Sequence, residues 1–298
     1  MNRTIASADK IAFLFPGQGT IPDKSPPASG IGERLFALAE RMGVSLREWG
    51  TTRKVDLLQR TEFAQPAILI DSLAKAEALQ TAGIEPSIVA GHSLGEYAAL
   101  VVSGVLTAEE AFSVVVERGR LMADVDGAMA AIVKLPLEEV SSICRQIEPP
   151  VVIANYNGPE QVVVSGNEEG IDKAMSLARK AGGRGIPLQV SGPFHSPLMS
   201  AAQATLASKI ESIGFMAPSV SVISSVSGGV ETDPLRLKKL LLTQITACVR
   251  WVDVVERLVA DEEATVAVEV GTGDVLTGLG ERITSHVRFM TYEEALDG

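Results

Sequence analysis

Short apolar runs alternate with helix-length segments along most of this chain, the rhythm of an α/β protein. Runs at Lys10–Phe15, Ser87–Gly91, Val220–Ser225 and Val266–Val270 are expected to form the main sheet. Each ends in a Gly- or Ser-rich turn, and in open parallel sheets sites form at the strand ends. Thr107-Ala-Glu-Glu110 is a capping box that opens a helix running to about Met122. Asp233-Pro234 supplies an N-cap and a first-turn proline for another.

The middle of the chain changes rhythm. Ala128–Leu135 reads as strand, Leu137–Ile147 as helix, Val151–Tyr156 and Gln161–Ser165 as two strands, Ile171–Ala181 as helix and Gly185–Val190 as strand. That order, βαββαβ, is the ferredoxin-like pattern. The expected architecture is a large α/β body, residues 1–126 and 194–298, with a small subdomain inserted at 127–193. A cleft between the two suits a ligand. The one linker-like stretch is Ile21–Gly32, rich in Pro, Ser and Gly, directly after Gly17-Gln-Gly19.

At 298 residues the chain is long enough for a substantial core, and with aromatics at only 4% that core is built of Ala, Val, Leu and Ile. The apolar run Ile11–Phe15 stops at Pro16-Gly17, too short for a signal core, and no run approaches a membrane span. A cytoplasmic protein without membrane contact is expected. A net charge of −11 argues against nucleic acid as partner. Cys144 and Cys248 give neither a disulfide framework nor metal-ligand spacing.

The chemistry concentrates at Gly91-His-Ser-Leu-Gly95, where an apolar run meets an Ala/Leu/Val-rich helical segment. A serine at such a strand-to-helix turn has its hydroxyl thrust clear of the backbone. The next amide, that of Leu94, lies at a helix N-terminus and can donate to an oxyanion. A serine nucleophile needs a base, and the chain has three histidines. His92 adjoins the serine and is turned away from it by the elbow. His286 lies in the polar segment Glu281–Arg288. That leaves His195, in Gly192-Pro-Phe-His-Ser-Pro197. No loop acid before His195 stands out, so a Ser–His dyad with a neutral acceptor behind the histidine is expected.

These motifs, with Phe15-Pro-Gly-Gln-Gly19, Thr61-Glu-Phe-Ala-Gln-Pro66, Glu117-Arg-Gly119, Gly127-Ala-Met-Ala130 and Glu269-Val-Gly-Thr-Gly-Asp-Val-Leu-Thr-Gly278, give the chain a resemblance nearly end to end. It resembles the malonyl-CoA:acyl-carrier-protein transacylase family, which includes the acyltransferase domains of fatty-acid and polyketide synthases. The resemblance implies a hydrolase-like α/β body with an inserted ferredoxin-like subdomain. It also implies transfer of a malonyl group from CoA to the phosphopantetheine thiol of an acyl carrier protein, through an ester on Ser93.

Under that resemblance His195 is the base, and the amides of Gln18 and Leu94 form the oxyanion hole. The main-chain carbonyl of Gln244 holds the histidine. Arg118 grips the free carboxylate of the malonyl group, a task its planar fork suits; Arg120 points to the other side of the helix. Phe194, Gln65 and Asn157 are expected at the substrate, with the ring of Phe194 favouring malonyl over a 2-methyl analogue. No metal or redox cofactor is implied, and a monomer is expected. The carrier is typically acidic, so a local basic face is expected at Lys173, Arg179, Lys180 and Arg184.

The chain departs from the family pattern at Thr20–Pro27 and at Thr246-Ala-Cys-Val-Arg-Trp251. The first departure borders the oxyanion hole and keeps an alternative open, a hydrolase that clears acyl groups from carrier proteins. A non-catalytic scaffold is the remaining alternative, and the joint presence of Ser93, His195, Gln18 and Arg118 argues against it.

Overall fold

The computed structural model describes residues 5–19, 22, 30–46, 60–190 and 192–297. The fold is mixed α/β with two sheets. The larger sheet has the strand order β10-β9-β1-β2-β7-β8, formed by β1 (Ile11–Phe15), β2 (Ile88–Gly91), β7 (Ser221–Ile223), β8 (Val230–Glu231), β9 (Val266–Glu269) and β10 (Arg288–Thr291). All its pairings are parallel except β7 with β8.

Because strand side chains alternate between faces, this sheet separates two cores. Phe13, Phe15, Val89, Val222 and Val268 face one side. There they meet α1 (Gly30–Arg41), α2 (Thr61–Thr81), α3 (Gly95–Val102), α4 (Ala108–Ala123), α7 (Ser200–Glu211) and α8 (Pro234–Thr243). Ala12, Leu14, Ile88, Ala90, Ile223 and Ala267 face the other side, against α9 (Trp251–Ala260) and α10 (Val275–Ile283). A short helix, α11 (Tyr292–Asp297), ends the described chain.

The smaller sheet, β4-β5-β3-β6, is antiparallel throughout. It consists of β3 (Ala128–Val133), β4 (Val152–Gly158), β5 (Gln161–Gly166) and β6 (Arg184–Pro187). Ala130, Ile132, Val162 and Val164 pack beneath α5 (Leu137–Cys144) and α6 (Glu168–Lys180). Met129, Ala131 and Val163 point the opposite way, into the core shared with the large sheet. The edge of β4 is tied to the larger layer: Tyr156 N–H donates to Val249 O at 2.8 Å, and Val249 N–H to Ala154 O at 2.8 Å.

The expected helix starts hold. Thr107 and Glu110 form the full capping box of α4, and Asp233 accepts from Leu235 N–H at the head of α8. Several boundaries differ. The last strand of the small sheet ends at Pro187, and Leu188–Val190 instead turn along the cavity described below. The helix expected over Leu137–Ile147 stops at Cys144. Strand β7 covers only Ser221–Ile223, which frees Ser224 and Ser225 for side-chain bonding. Strands β8 and β10 had no counterpart among the expected strands.

Candidate active site

Strand β2 runs into α3 through Gly91-His-Ser-Leu-Gly95, and Ser93 sits at the apex with φ 51°. The glycines are required by close approach. A methyl group at Gly95 would lie 2.0 Å from Phe15 O, and one at Gly91 would lie 2.0 Å from the carbonyl carbon of Gly95. The first turn of α3 therefore rests directly on β1 and β2, and this presses the serine outward into left-handed backbone.

His195 also holds a positive φ, 59°. Its Nε2 lies 2.7 Å from Ser93 Oγ. On the other side of the ring, Nδ1 lies 3.0 Å from Gln244 O and 2.9 Å from Ala247 O. Carbonyls only accept, so Nδ1 carries the proton and Nε2 is left as the acceptor facing the serine hydroxyl. Burial, then the neighbouring Arg118 and His92, push the imidazole pKa down to about 3. At neutral pH the ring is the uncharged base that the geometry needs.

Arg118 is buried at 1% exposure on α4. It donates from Nη2 to Ser93 Oγ at 3.1 Å and from Nη1 to Gln65 Oε1 at 2.7 Å, with a longer contact from Nη2 to Gln244 Oε1 at 3.4 Å. Its guanidinium carbon stands 5.8 Å from the Tyr97 ring centroid, a cation–π arrangement. Among the described residues its Nε has no partner. Arg120, two residues on, leaves by the opposite side and donates to Met42 O at 3.0 Å.

A cavity of about 430 Å³ opens onto the serine. Gly17, Gln18, Ser93 and His195 line one end, Met129, Ala131 and Val163 of the small sheet line one wall, and Val275, Leu276 and Leu279 of α10 the other. Phe194 and Asn157 also line it. Arg118 and Gln65 do not; both are buried, Arg118 reaches the serine hydroxyl by hydrogen bond, and Gln65 touches it only through Arg118. Among the described residues neither the Gln18 nor the Leu94 amide has a backbone acceptor, so both remain available to an oxyanion. Gln18 is held by its side chain, whose Oε1 accepts from Thr61. Asn157 Oδ1 bonds His92 Nε2 at 2.9 Å, and the His92 ring packs edge-on to Trp251, turned away from the serine.

Two expectations need correction or limits. Of the expected basic face, Lys173, Arg179 and Lys180 lie on α6, which covers the face of the small sheet opposite the cavity, with Lys173 paired to Glu169 at 2.7 Å, while Arg184 is exposed on β6. Arg282 of α10 is exposed and bonded to Gln161, which lines the cavity. The departure at Thr20–Pro27 lies, Pro22 apart, outside the described residues.

Three contributors carry no role in the sequence reading, although Glu96 and Tyr97 end the motif Gly91-His-Ser-Leu-Gly-Glu-Tyr97 and Ala247 lies in the departing stretch Thr246–Trp251. Ala247 supplies only a carbonyl, which any residue could. Tyr97 lies under Arg118. Glu96 is 2% exposed and accepts from Ser224 Oγ at 2.6 Å, Ser225 Oγ at 2.8 Å and Gln244 Nε2 at 2.7 Å. An acid one turn after a nucleophile, in an otherwise apolar helix, is the signal that marks it.

A family model described as acyl transferase domain matches residues 31–289. The chain is 36% identical over 295 residues to the malonyl CoA-acyl carrier protein transacylase of Bacillus subtilis, covering 94% of this chain and 92% of that protein. It is 35% identical to the protein of that name from Escherichia coli K12, covering 92% and 93%. Among solved structures, an acyl carrier protein S-malonyltransferase from Vibrio cholerae superposes with a TM-score of 0.87 at 36% identity, covering 95% and 96%. A malonyl-transacylase solved in complex with a type II PKS acyl-carrier protein gives 0.89 at 33% identity, covering 97% and 99%. The dyad, the buried arginine and these end-to-end matches agree: the chain belongs to the acyl transferase domain family, among its malonyl CoA-acyl carrier protein transacylases.

Proposed function

We propose that the protein moves malonyl groups from CoA to the phosphopantetheine thiol of an acyl carrier protein by way of a serine ester. One observation carries this reading: Ser93 Oγ is held 2.7 Å from a neutral His195 and 3.1 Å from a buried arginine. His195 Nε2 takes the hydroxyl proton as Oγ attacks the thioester carbonyl. The oxyanion is met by the amides of Gln18 and Leu94, each such donor lowering a barrier by roughly 3–4 kcal/mol. The imidazolium then protonates the departing CoA sulfur, leaving malonyl on Ser93. In the second half the carrier's thiol gives its proton to Nε2 and attacks the ester, and the serine recovers its proton as it leaves.

Arg118 gives the acyl selectivity in this reading. Its guanidinium already reaches the reacting oxygen, so a short dicarboxylic acyl group on Ser93 brings its free carboxylate within the arginine's compass. The steps need acid–base and electrostatic groups alone, and no cofactor is assigned. The relatives lend nothing to the hydrolase alternative.

Residues 127–193 form, in the same reading, a ferredoxin-like insertion in a hydrolase-like body of 1–126 and 194–298. The antiparallel order β6-β3-β5-β4 supports it. We place the protein in the cytoplasm as a monomer; no helix among the described residues is long and apolar enough to cross a membrane. The test is intact-protein mass spectrometry with malonyl-CoA, then with a phosphopantetheinylated carrier protein. A malonyl adduct on Ser93 that passes to the carrier supports the reading. Release of CoA with neither adduct nor loaded carrier overturns it.

A further inference from the structure

A buried chain of hydrogen bonds runs from Arg118 to a carboxylate that the acyl-transfer steps do not use. Gln244 stands in the middle of it. Its Oε1 faces Arg118 Nη2 at 3.4 Å, and its Nε2 donates to Glu96 Oε2 at 2.7 Å and to Ser93 O at 2.9 Å. Its own main-chain carbonyl accepts from His195. Glu96 is fixed in turn by the hydroxyls of Ser224 and Ser225. The four side chains Glu96, Ser225, Gln244 and Arg118 are each no more than 2% exposed.

The chemistry of the groups dictates how this chain is polarised. A carboxylate and a carbonyl only accept, and a guanidinium only donates. Gln244 therefore has one orientation that satisfies all its neighbours, with its amide nitrogen toward Glu96 and Ser93 O, and its oxygen toward Arg118. Three hydrogen-bond donors converge on Glu96, the hydroxyls of Ser224 and Ser225 and the Gln244 amide, and they oppose the upward push that burial gives its carboxyl pKa. A single amide thus joins Glu96 to Arg118, inside a core where a guanidinium without oriented acceptors is costly.

We infer that Glu96 is a positioning residue for acyl-donor selection: through the Gln244 amide it fixes the buried guanidinium of Arg118 in the place where a donor's free carboxylate must meet it. This rests on the malonyl-transfer reading and names a residue that sets its selectivity without touching the acyl group. Glu96→Gln keeps the shape but supplies one acceptor where there were two. Gln244 then keeps only Ser93 O as an acceptor-only partner for its amide nitrogen, and the acceptor it offers Arg118 is held less firmly.

The experiment is a double-mutant cycle read in the ratio of malonyl to acetyl loading onto Ser93, measured as kcat/KM for each donor. The expected result is a fall of about tenfold in that ratio for E96Q. In the R118A background the same substitution is expected to leave the ratio where R118A alone puts it, because non-additivity marks residues that act through one another. Gln244→Met retains the main-chain carbonyl behind His195 and removes the relay. It is expected to lower the ratio as E96Q does, and it carries the test should E96Q not fold. Equal loss of malonyl and acetyl loading in E96Q and Q244M overturns the inference, as does no change in the ratio, or additive effects of E96Q and R118A. The underlying reading fails separately, if the unaltered protein forms no malonyl adduct or if R118A leaves its preference intact.

Discussion

Ser93 and His195 meet at 2.7 Å across two backbone positions that both lie in the left-handed region, at φ 51° and 59°. Non-glycine residues avoid that region, and each such position costs of order 1–3 kcal/mol unless its surroundings impose it. Here they do: α3 pressed on β1 fixes one, and the His195 N–H bond to Ile245 O at 3.0 Å fixes the other. Replacing Ser93 with Ala is expected to abolish the acyl adduct, and His195→Ala to slow acylation by about 10²–10⁴-fold, with the circular dichroism of both unchanged. Intact-mass time courses check this; a normal adduct in S93A would assign the ester elsewhere.

The acid limb of acylation should reveal the buried imidazole. Because burial first, and Arg118 next, push His195 down to about 3, the base stays neutral well below the usual histidine range. The kcat/KM for donor loading, which reports the free enzyme, is expected to hold steady from about pH 7.5 to about pH 5 and not to halve near 6.5. A midpoint near 6.5 would contradict the burial.

Stability carries the matching sign. A native pKa below that of the unfolded chain contributes stability that is present above about 6.5 and lost as pH falls toward about 3. Relative to His195→Asn, the thermal midpoint of the unaltered protein should therefore drop across that window. Parallel curves would show that the ring is solvated.

Removing Arg118 should cost malonyl far more than acetyl. Truncating one side of a buried charge pair costs about 2–5 kcal/mol, so the malonyl kcat/KM of Arg118→Ala should fall by roughly 30-fold or more. An unchanged malonyl rate would remove the carboxylate clamp.

Phe194 lines the cavity at 6% exposure, next to the base. Phe194→Ser is expected to improve the methylmalonyl-to-malonyl ratio by about tenfold or more, the worth of roughly 1–3 kcal/mol per methyl. Competition between the two donors, read by mass, decides it.

The elbow is legible in the sequence because its geometry demands particular residues: at Gly91 and Gly95 any side chain would overlap backbone. Gly95→Ala is accordingly expected to cost about 1–3 kcal/mol, seen as a lower melting midpoint, whereas Gly214→Ala, with open space around it, should be near neutral. His195 is legible by elimination, and the alternation of the small sheet by its period. Ala247 is not, since its contribution is a carbonyl. Nor is strand β10, where Arg-Phe-Met-Thr mixes polar and apolar residues at the sheet edge. The relation of α6 to the cavity is equally hidden, because a helix's charges do not say which face of a sheet it covers.

The strip Gln244–Val249 serves two masters. Its carbonyls at Gln244 and Ala247 hold the His195 ring, and its end at Val249 is stitched to the edge of β4, while Asn157 of that same strand grips His92 beside Ser93. A chimera that transplants only 127–193 from a relative would keep the dyad yet replace the strand against which it is aligned. Functional grafts between such enzymes will have to carry the 244–249 strip along with residues 127–193, as one transplantable unit.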